Sequence, residues 1–201
     1  MKIIEILGEP KNTFEYNFSS VEGKEKTSND NNTYPYKDCT YTSRVKENNV
    51  FSKERTYKHL REGCRGILIC DGKILLSYES KVDQYLIPGG GIEEGEGLEQ
   101  CCIRELMEET GVIVKPRTHY LTLEEYYNDY YFKSNYFICD YIGECECALT
   151  DEERQKGLVP TWVDFDKALS IFSDYEKYKD TDNMRYGAYY RELIALTELQ
   201  K

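Results

Sequence analysis

The 201-residue chain contains no apolar run approaching the roughly 20 residues that a helix needs to cross a bilayer. Its opening, "MKIIEILGEPK", places Glu5 where a signal peptide would continue its apolar segment. Neither a membrane protein nor an exported one is expected, and a cytoplasmic location is. Cationic side chains are also short: 26 Lys and Arg stand against 37 Asp and Glu, a formal net charge of −11. Affinity for a polyanion comes mainly from cations that neutralise phosphates, so a DNA-binding groove is not expected. An anionic ligand must be small or must arrive with a metal cation. Histidine is limited to His59 and His119, neither in the setting of a catalytic triad, and both are expected to be structural. The eight cysteines make no zinc ribbon, because the pair in "GECECAL" has no second pair at zinc spacing. A chain of this length does not need disulfide staples, and reduced thiols are expected.

What is present describes a globular protein with one core: 40% hydrophobic and 13% aromatic residues and a mean hydropathy of −0.69. Residues 1–60 read as an N-terminal arm. Its short strand "KIIEIL" is suited to cover a sheet edge or to pair with a second subunit in a homodimer, and a poorly ordered extension is the equal alternative. Residues 61–201 read as the main domain. "CRGILIC" and "KILLSYE" are β-compatible runs around Asp71-Gly72, a hairpin dipeptide, and "YLIPGG" is a third short strand. Residues 96–111 form a helix ended by Gly111. Two Tyr- and Ile-rich runs around Asn128-Asp129 make a second hairpin. "DEERQKG" is a loop, "LVPTWVDF" a strand, and two helices close the chain, with Ile194, Leu196 and Leu199 among the core candidates. Strands on both sides of one central helix, with helices at the end, predict an α+β or α/β/α sandwich with a mixed sheet.

Seven glutamates crowd the segment "PGGGIEEGEGLEQCCIRELMEETGV". On a helix, Leu98, Cys102, Ile103, Leu106 and Thr110 make one stripe, the one expected to pack on the sheet. Cys101, Glu105, Glu108 and Glu109 make another, at the i, i+3 and i, i+4 spacings that bring side chains together. Like charges there repel, and the helix dipole disfavours anions near the C-terminal end. A hard divalent cation reverses the sign of that cost, because Mg²⁺ is held by a few carboxylates together with substrate phosphates. A solvated acidic face is the bland alternative. Against it stands the preceding run Gly89, Gly90, Gly91, then Gly95 and Gly97, where backbone can approach a metal-bound phosphate closely.

Gly90, five residues, Glu96, seven residues and then "RELMEETGV" resemble the Nudix box at every fixed position. The flanking hairpin, "LIPGGG" and "WVDF" resemble that family's domain from about residue 62 to 168. The resemblance implies an α/β/α sandwich with a central metal-binding helix, and hydrolysis of a nucleoside diphosphate linked to another group with Mg²⁺ or Mn²⁺. It implies Glu105, Glu108 and Glu109 as metal ligands, with the carbonyl of Gly89 or Gly90 completing the shell. Arg104 would orient the cluster, and Glu96 would brace the loop. Gly90 and Gly111 would be structural in the motif. For the base, Glu105 and the acids Glu152 and Glu153 of "TDEER" are candidates, with an exposed polar turn the bland reading of the latter two.

Gly90 and Gly91 are expected to meet the substrate backbone-first. From the second hairpin Tyr126, Tyr127, Tyr130, Tyr131 and Phe132 are candidates to stack on a nucleobase, with Tyr127 and Tyr131 put first, although such stripes are more often half core and half sheet surface. The region some fifteen residues past the box, "EEYYND", lacks the proline common in ADP-ribose hydrolases and is too rich in tyrosine to discriminate dinucleoside polyphosphate hydrolases. A non-catalytic nucleotide sensor and an RNA 5′-end pyrophosphohydrolase are the alternatives. The intact carboxylate set counts against the first; the acidic balance counts against the second, and the basic stretch 55–65 counts for it.

Overall fold

The computed structural model describes residues 1–10, 39–45, 58–127 and 130–201, with the side chains of residues 7–10, 39–45, 127 and 183 left undescribed. Strands β1 (Lys2–Pro10), β2 (Cys39–Val45), β3 (His59–Cys70), β4 (Lys73–Glu79), β5 (Gln84–Leu86) and β6 (Gly89–Gly91) precede helix α1 (Leu98–Thr110). Then follow β7 (Val112–Tyr127), β8 (Tyr130–Glu144), α2 (Asp151–Lys156), β9 (Leu158–Asp164), α3 (Phe165–Ser173), a 3₁₀ turn at Asp174–Tyr178, and α4 (Asn183–Leu199). Among the described residues the strands form one sheet in the order β2-β1-β7-β8-β3-β4-β5, with β6 on β3 and β9 on β4. The sheet is mixed, since β1 runs parallel to β7 and β3 parallel to β8 while the other pairs are antiparallel.

Period-two alternation divides the core between the two faces. Cys64, Leu68, Leu75, Phe137 and Cys139 pack under Cys102 and Leu106 of α1. Ile4, Ile6, Ile67, Leu76, Leu121, Leu123 and Tyr136 face the opposite way, against Phe172 of α3 and Tyr189 and Leu196 of α4. The result is the expected α/β/α sandwich. Ile194 and Leu199 pack on this second core from its margin. Leu106 is wholly buried and presses on Gly66, where an added Cβ would lie 2.5 Å from its methyl. Leu106→Ala is expected to cost about 2–5 kcal/mol in urea unfolding.

Asp71 and Gly72 both take positive φ, 50° and 75°, as a two-residue hairpin turn requires. The second predicted turn, Asn128-Asp129, lies outside the described residues, while its strands pair from Val112↔Glu144 to Tyr127↔Tyr130. The segment "DEERQK" is a helix and not a loop. Thr150 Oγ1 accepts from the Glu153 amide at 3.3 Å, Glu153 accepts from the Thr150 amide at 2.7 Å, and Gly157 closes the turn at φ 69°. Reciprocal capping stabilises a turn too short to hold by propensity alone. Helix α1 begins at Leu98, two residues later than predicted, because Gly97 is its N-cap and Glu96 belongs to the preceding turn. The strand of the N-terminal arm covers the β7 edge, and Ile4 and Ile6 are core residues. No helix among the described residues is long and apolar enough to cross a membrane. The cysteines with described side chains are all free thiols.

Candidate active site

The glycine run is used for close backbone approach. In β6, Gly89, Gly90 and Gly91 pair with Arg65, Cys64 and Gly63 of β3. Gly89 has φ 146°, and a Cβ there would lie 2.1 Å from the Cys64 carbonyl oxygen. Only glycine fits that position. A Cβ on Gly90 would meet both Glu105 carboxylate oxygens at 2.5 Å, so the bare α-carbon of Gly90 is the surface on which Glu105 rests. Sheet and helix thus meet across one glycine.

Arg104 binds the pieces together. Its Nε and Nη2 donate to the two oxygens of Glu96 at 2.7 and 2.9 Å, its Nη1 to Glu105 at 2.9 Å and Glu108 at 3.0 Å, and its Nη2 also to the Gly91 carbonyl at 2.9 Å. The forked pair with Glu96 is the strong bidentate geometry. It holds the Glu96 carboxyl down to about 2, while the Arg104 guanidinium is driven further toward its charged form. Glu96 also accepts from the Glu93 amide at 3.0 Å, fastening the loop to the helix.

Glu109 is held differently. It lies inside the molecule, accepting from Ser77 Oγ at 2.6 Å and from the Gly89 amide at 3.3 Å. Burial pushes its carboxyl up to about 8, only partly opposed by Ser77 and Arg65, with Glu105 and Glu153 adding to the rise. Glu105 is raised too, by burial and against the pull of Arg104. Glu109 therefore has no cation at ion-pair distance among the described residues, and Glu105 is only partly offset by Arg104.

These groups line a cleft of about 580 Å³ between α1, α2, β3–β6, β8 and the start of α4. A family model described as the NUDIX domain matches residues 60–183, more than half of the chain. The chain belongs to the Nudix family. Among curated proteins it resembles the ADP-ribose pyrophosphatase of Methanocaldococcus jannaschii, 33% identical over 39% of this chain and 48% of that one. It also resembles the RNA pyrophosphohydrolase of Dinoroseobacter shibae, 39% identical over 26% of this chain and 35% of that one. The chain spans less than half the length of these curated relatives. Among solved structures, the NUDIX hydrolase from Nitrosomonas europaea superposes with a TM-score of 0.48 at 20% identity, over 66% of this chain and 88% of that one.

The Nudix-box glutamates Glu105, Glu108 and Glu109 all line the cleft, as do Gly89, Gly90, Gly91, Arg104 and Glu153. Glu96 lies behind them, paired with Arg104, and Gly111 closes α1 at φ 67°. Glu153 combines an N-terminal capping role in α2 with a place in the same cleft as Glu109. Cys101, on the glutamate stripe one turn before Glu105, is fully buried, its thiol 3.5 Å from the Gly91 carbonyl and 3.8 Å from Arg104 Nη2. Tyr131 stacks flat on Tyr126, centroids 4.6 Å apart, and is not among the cleft residues, because the alternation of β8 turns its neighbour Phe132 there instead. The side chain of Tyr127 lies outside the described residues.

Several cleft residues were not named as site candidates from the sequence, among them Ser77, Glu79 and Arg61. Ser77 and Glu79 share the parity of Leu75 on β4, so the alternation in "KILLSYE" places all three on the α1 side of the sheet. Glu79 is a further buried carboxylate, 3.3 Å from Lys156 Nζ. Arg61, on β3, belongs to the basic stretch 55–65.

The donor chemistry fits a hard divalent cation: oxygen donors only, with Glu105 and Glu109 buried and Glu109 without a cation at ion-pair distance among the described residues. Among the described residues no three acidic, histidine or cysteine side chains yet form a coordination group. The hydrogen bonds explain this, since Arg104 draws Glu105 and Glu108 to itself while Ser77 and Gly89 hold Glu109.

Proposed function

We propose that this protein hydrolyses the pyrophosphate bond of a nucleoside diphosphate linked to another moiety, such as a nucleotide sugar, a dinucleoside polyphosphate or a nucleoside triphosphate, with Mg²⁺ or Mn²⁺ as cofactor. The observation that carries this reading is the buried Glu109, whose carboxyl is pushed up to about 8 in a cleft shared with Glu105. Such a group is poorly placed for structure and well placed to receive a cation. Glu105, Glu108 and Glu109 would hold the metal, with the Gly89–Gly91 backbone beside it. A bound divalent ion would polarise the phosphoryl oxygens and acidify an attacking water.

The chain's own contribution is positional. Arg104 sets the orientation of Glu105 and Glu108, and Ser77 sets that of Glu109. Glu153 and Glu105 are the candidates to take the proton from water, since both line the same cleft as Glu109. Burial raises the Glu105 carboxyl, which makes its ionised form the stronger base.

A panel of ADP-ribose, dinucleoside polyphosphates, nucleoside triphosphates and 5′-triphosphorylated RNA, assayed for product release with Mg²⁺, tests the reading. Turnover of at least one nucleotide, lost on adding a chelator, is the expected result. Tight binding of one nucleotide with no turnover anywhere would replace hydrolysis by sensing. Turnover of RNA alone would move the activity to RNA 5′ ends, in line with the relative named RNA pyrophosphohydrolase.

A further inference from the structure

Six cationic side chains line the cleft: Arg61, Arg65, Arg104, Lys133, Lys156 and Arg191. Five are engaged. Arg104 is shared among Glu96, Glu105 and Glu108. Lys156 lies 3.3 Å from Glu79 and 3.2 Å from Glu152. Lys133 pairs with Glu62 at 2.8 Å. Arg65 donates to the Ile87 carbonyl at 2.6 Å and lies 3.6 Å from Glu192, and Arg191 is held by Glu192 at 2.9 Å and Glu125 at 3.6 Å. Arg61 makes no hydrogen bond or ion pair with any described residue, and it is exposed at the mouth of the cleft.

Its position is defined. Arg61 shares the parity of Gly63 and Arg65 on β3, and its Nε lies 3.9 Å from where a Cβ on Gly91 would sit. The opposite side of Gly91, its carbonyl, is taken by Arg104. On the neighbouring strand the register partner of Arg61 is Phe132, which also lines the cleft. A cation beside a glycine turn, next to an aromatic ring, and across from the carboxylates is arranged to receive an anion whose other end reaches the acidic side.

We propose that Arg61 is the substrate-side phosphate anchor of this cleft: its guanidinium binds phosphoryl oxygens of the nucleotide and makes the site selective for diphosphates over uncharged nucleosides. This inference rests on reading the cleft as a nucleotide pyrophosphohydrolase site. Carboxylates crowd the acidic side, so the charge that attracts the substrate must come from the metal and from a side chain not already neutralised. Arg61 meets that condition. A guanidinium offers a fork that matches two phosphoryl oxygens, which an ammonium does not.

The test compares the wild type with Arg61→Ala and Arg61→Lys. Calorimetric titration with ADP and Mg²⁺ is expected to show roughly tenfold to hundredfold weaker binding for Arg61→Ala, with partial recovery in Arg61→Lys. Adenosine binding should be unchanged and the melting temperature preserved. With whichever substrate the wild type hydrolyses, KM should rise by a similar factor while kcat stays within about twofold. Equal ADP affinity in wild type and Arg61→Ala, or no ADP binding to either, overturns the inference. Arg61-dependent ADP binding in a protein that hydrolyses nothing on the panel overturns the hydrolase reading and leaves the anchor standing.

Discussion

Glu109→Gln is expected to remove turnover and, at the same time, to make the metal-free protein more stable. The first effect follows from position. Changing a residue that merely orients a metal ligand typically costs about 10–100-fold, so losing the most buried carboxylate of the set should cost more than about 100-fold. The second follows from the sign of the pKa shift. Glu109 is raised from an ordinary 4.5 to about 8 by burial, so between those two values the unfolded chain releases a proton that the folded protein retains. Stability must then fall as pH rises through that window, by an amount on the order of 5 kcal/mol for a shift of this size. Glutamine keeps an acceptor for Ser77 and for the Gly89 amide but carries no charge to desolvate. Urea unfolding in the presence of a chelator should therefore give similar stabilities for the two proteins near pH 5 and a more stable variant at pH 8. Parallel pH profiles would show that Glu109 is not a buried, uncompensated carboxylate, and near-normal activity would remove it from the metal set.

Those residues were accessible from sequence because their signal is local. A glutamate trio at helical spacing, an arginine one position ahead of it and a glycine run before it all fall within one stretch of chain, so spacing alone places them on one helix and one turn. The Asp71-Gly72 hairpin was legible for the same reason. What sequence did not disclose depends on register between distant strands. Lys2 pairs with Leu121 across most of the chain, so the sequence could offer edge-covering by the N-terminal strand only as one alternative and could not name β7 as the edge or Ile4 and Ile6 as core. Phe132 and Tyr131 are neighbours in sequence, and only the register of β8 against β3 and β7 decides which of them faces the cleft. Glu79 could be inferred from alternation with Leu75 and Ser77 once α1 is known to lie on that side of β4. Helix α2 is a different case: "TDEE" contains the capping pair Thr150 and Glu153, and the charge of the segment hid a local signal that was present.

Arg104→Ala is expected to produce the opposite pattern from Glu109→Gln, with stability and activity lost together. The guanidinium makes five hydrogen bonds to Glu96, Glu105, Glu108 and the Gly91 carbonyl. Alanine leaves three carboxylates facing one another with no cation between them. Removing one partner from a largely buried ion pair typically costs about 3–5 kcal/mol, and since Arg104 is 22% exposed, about 2–4 kcal/mol is a suitable expectation. Its pH dependence is set by Glu96, which Arg104 holds down to about 2. A depressed carboxyl contributes its stabilisation above the unfolded value near 4.5 and loses it as pH falls toward 2, so the gap between wild type and Arg104→Ala should be widest above pH 5 and narrow in acid. Activity should fall at least 10–100-fold, because Glu105 and Glu108 lose the donor that orients them. Arg104→Lys separates charge from geometry: one ammonium can offset the carboxylates and recover much of the stability, but it cannot reach Glu96 through a fork and donate to Glu105, Glu108 and Gly91 together. A lysine variant as active as the wild type would show that Arg104 supplies charge alone, and that the carboxylates find their orientation from the helix and the glycine turn without it.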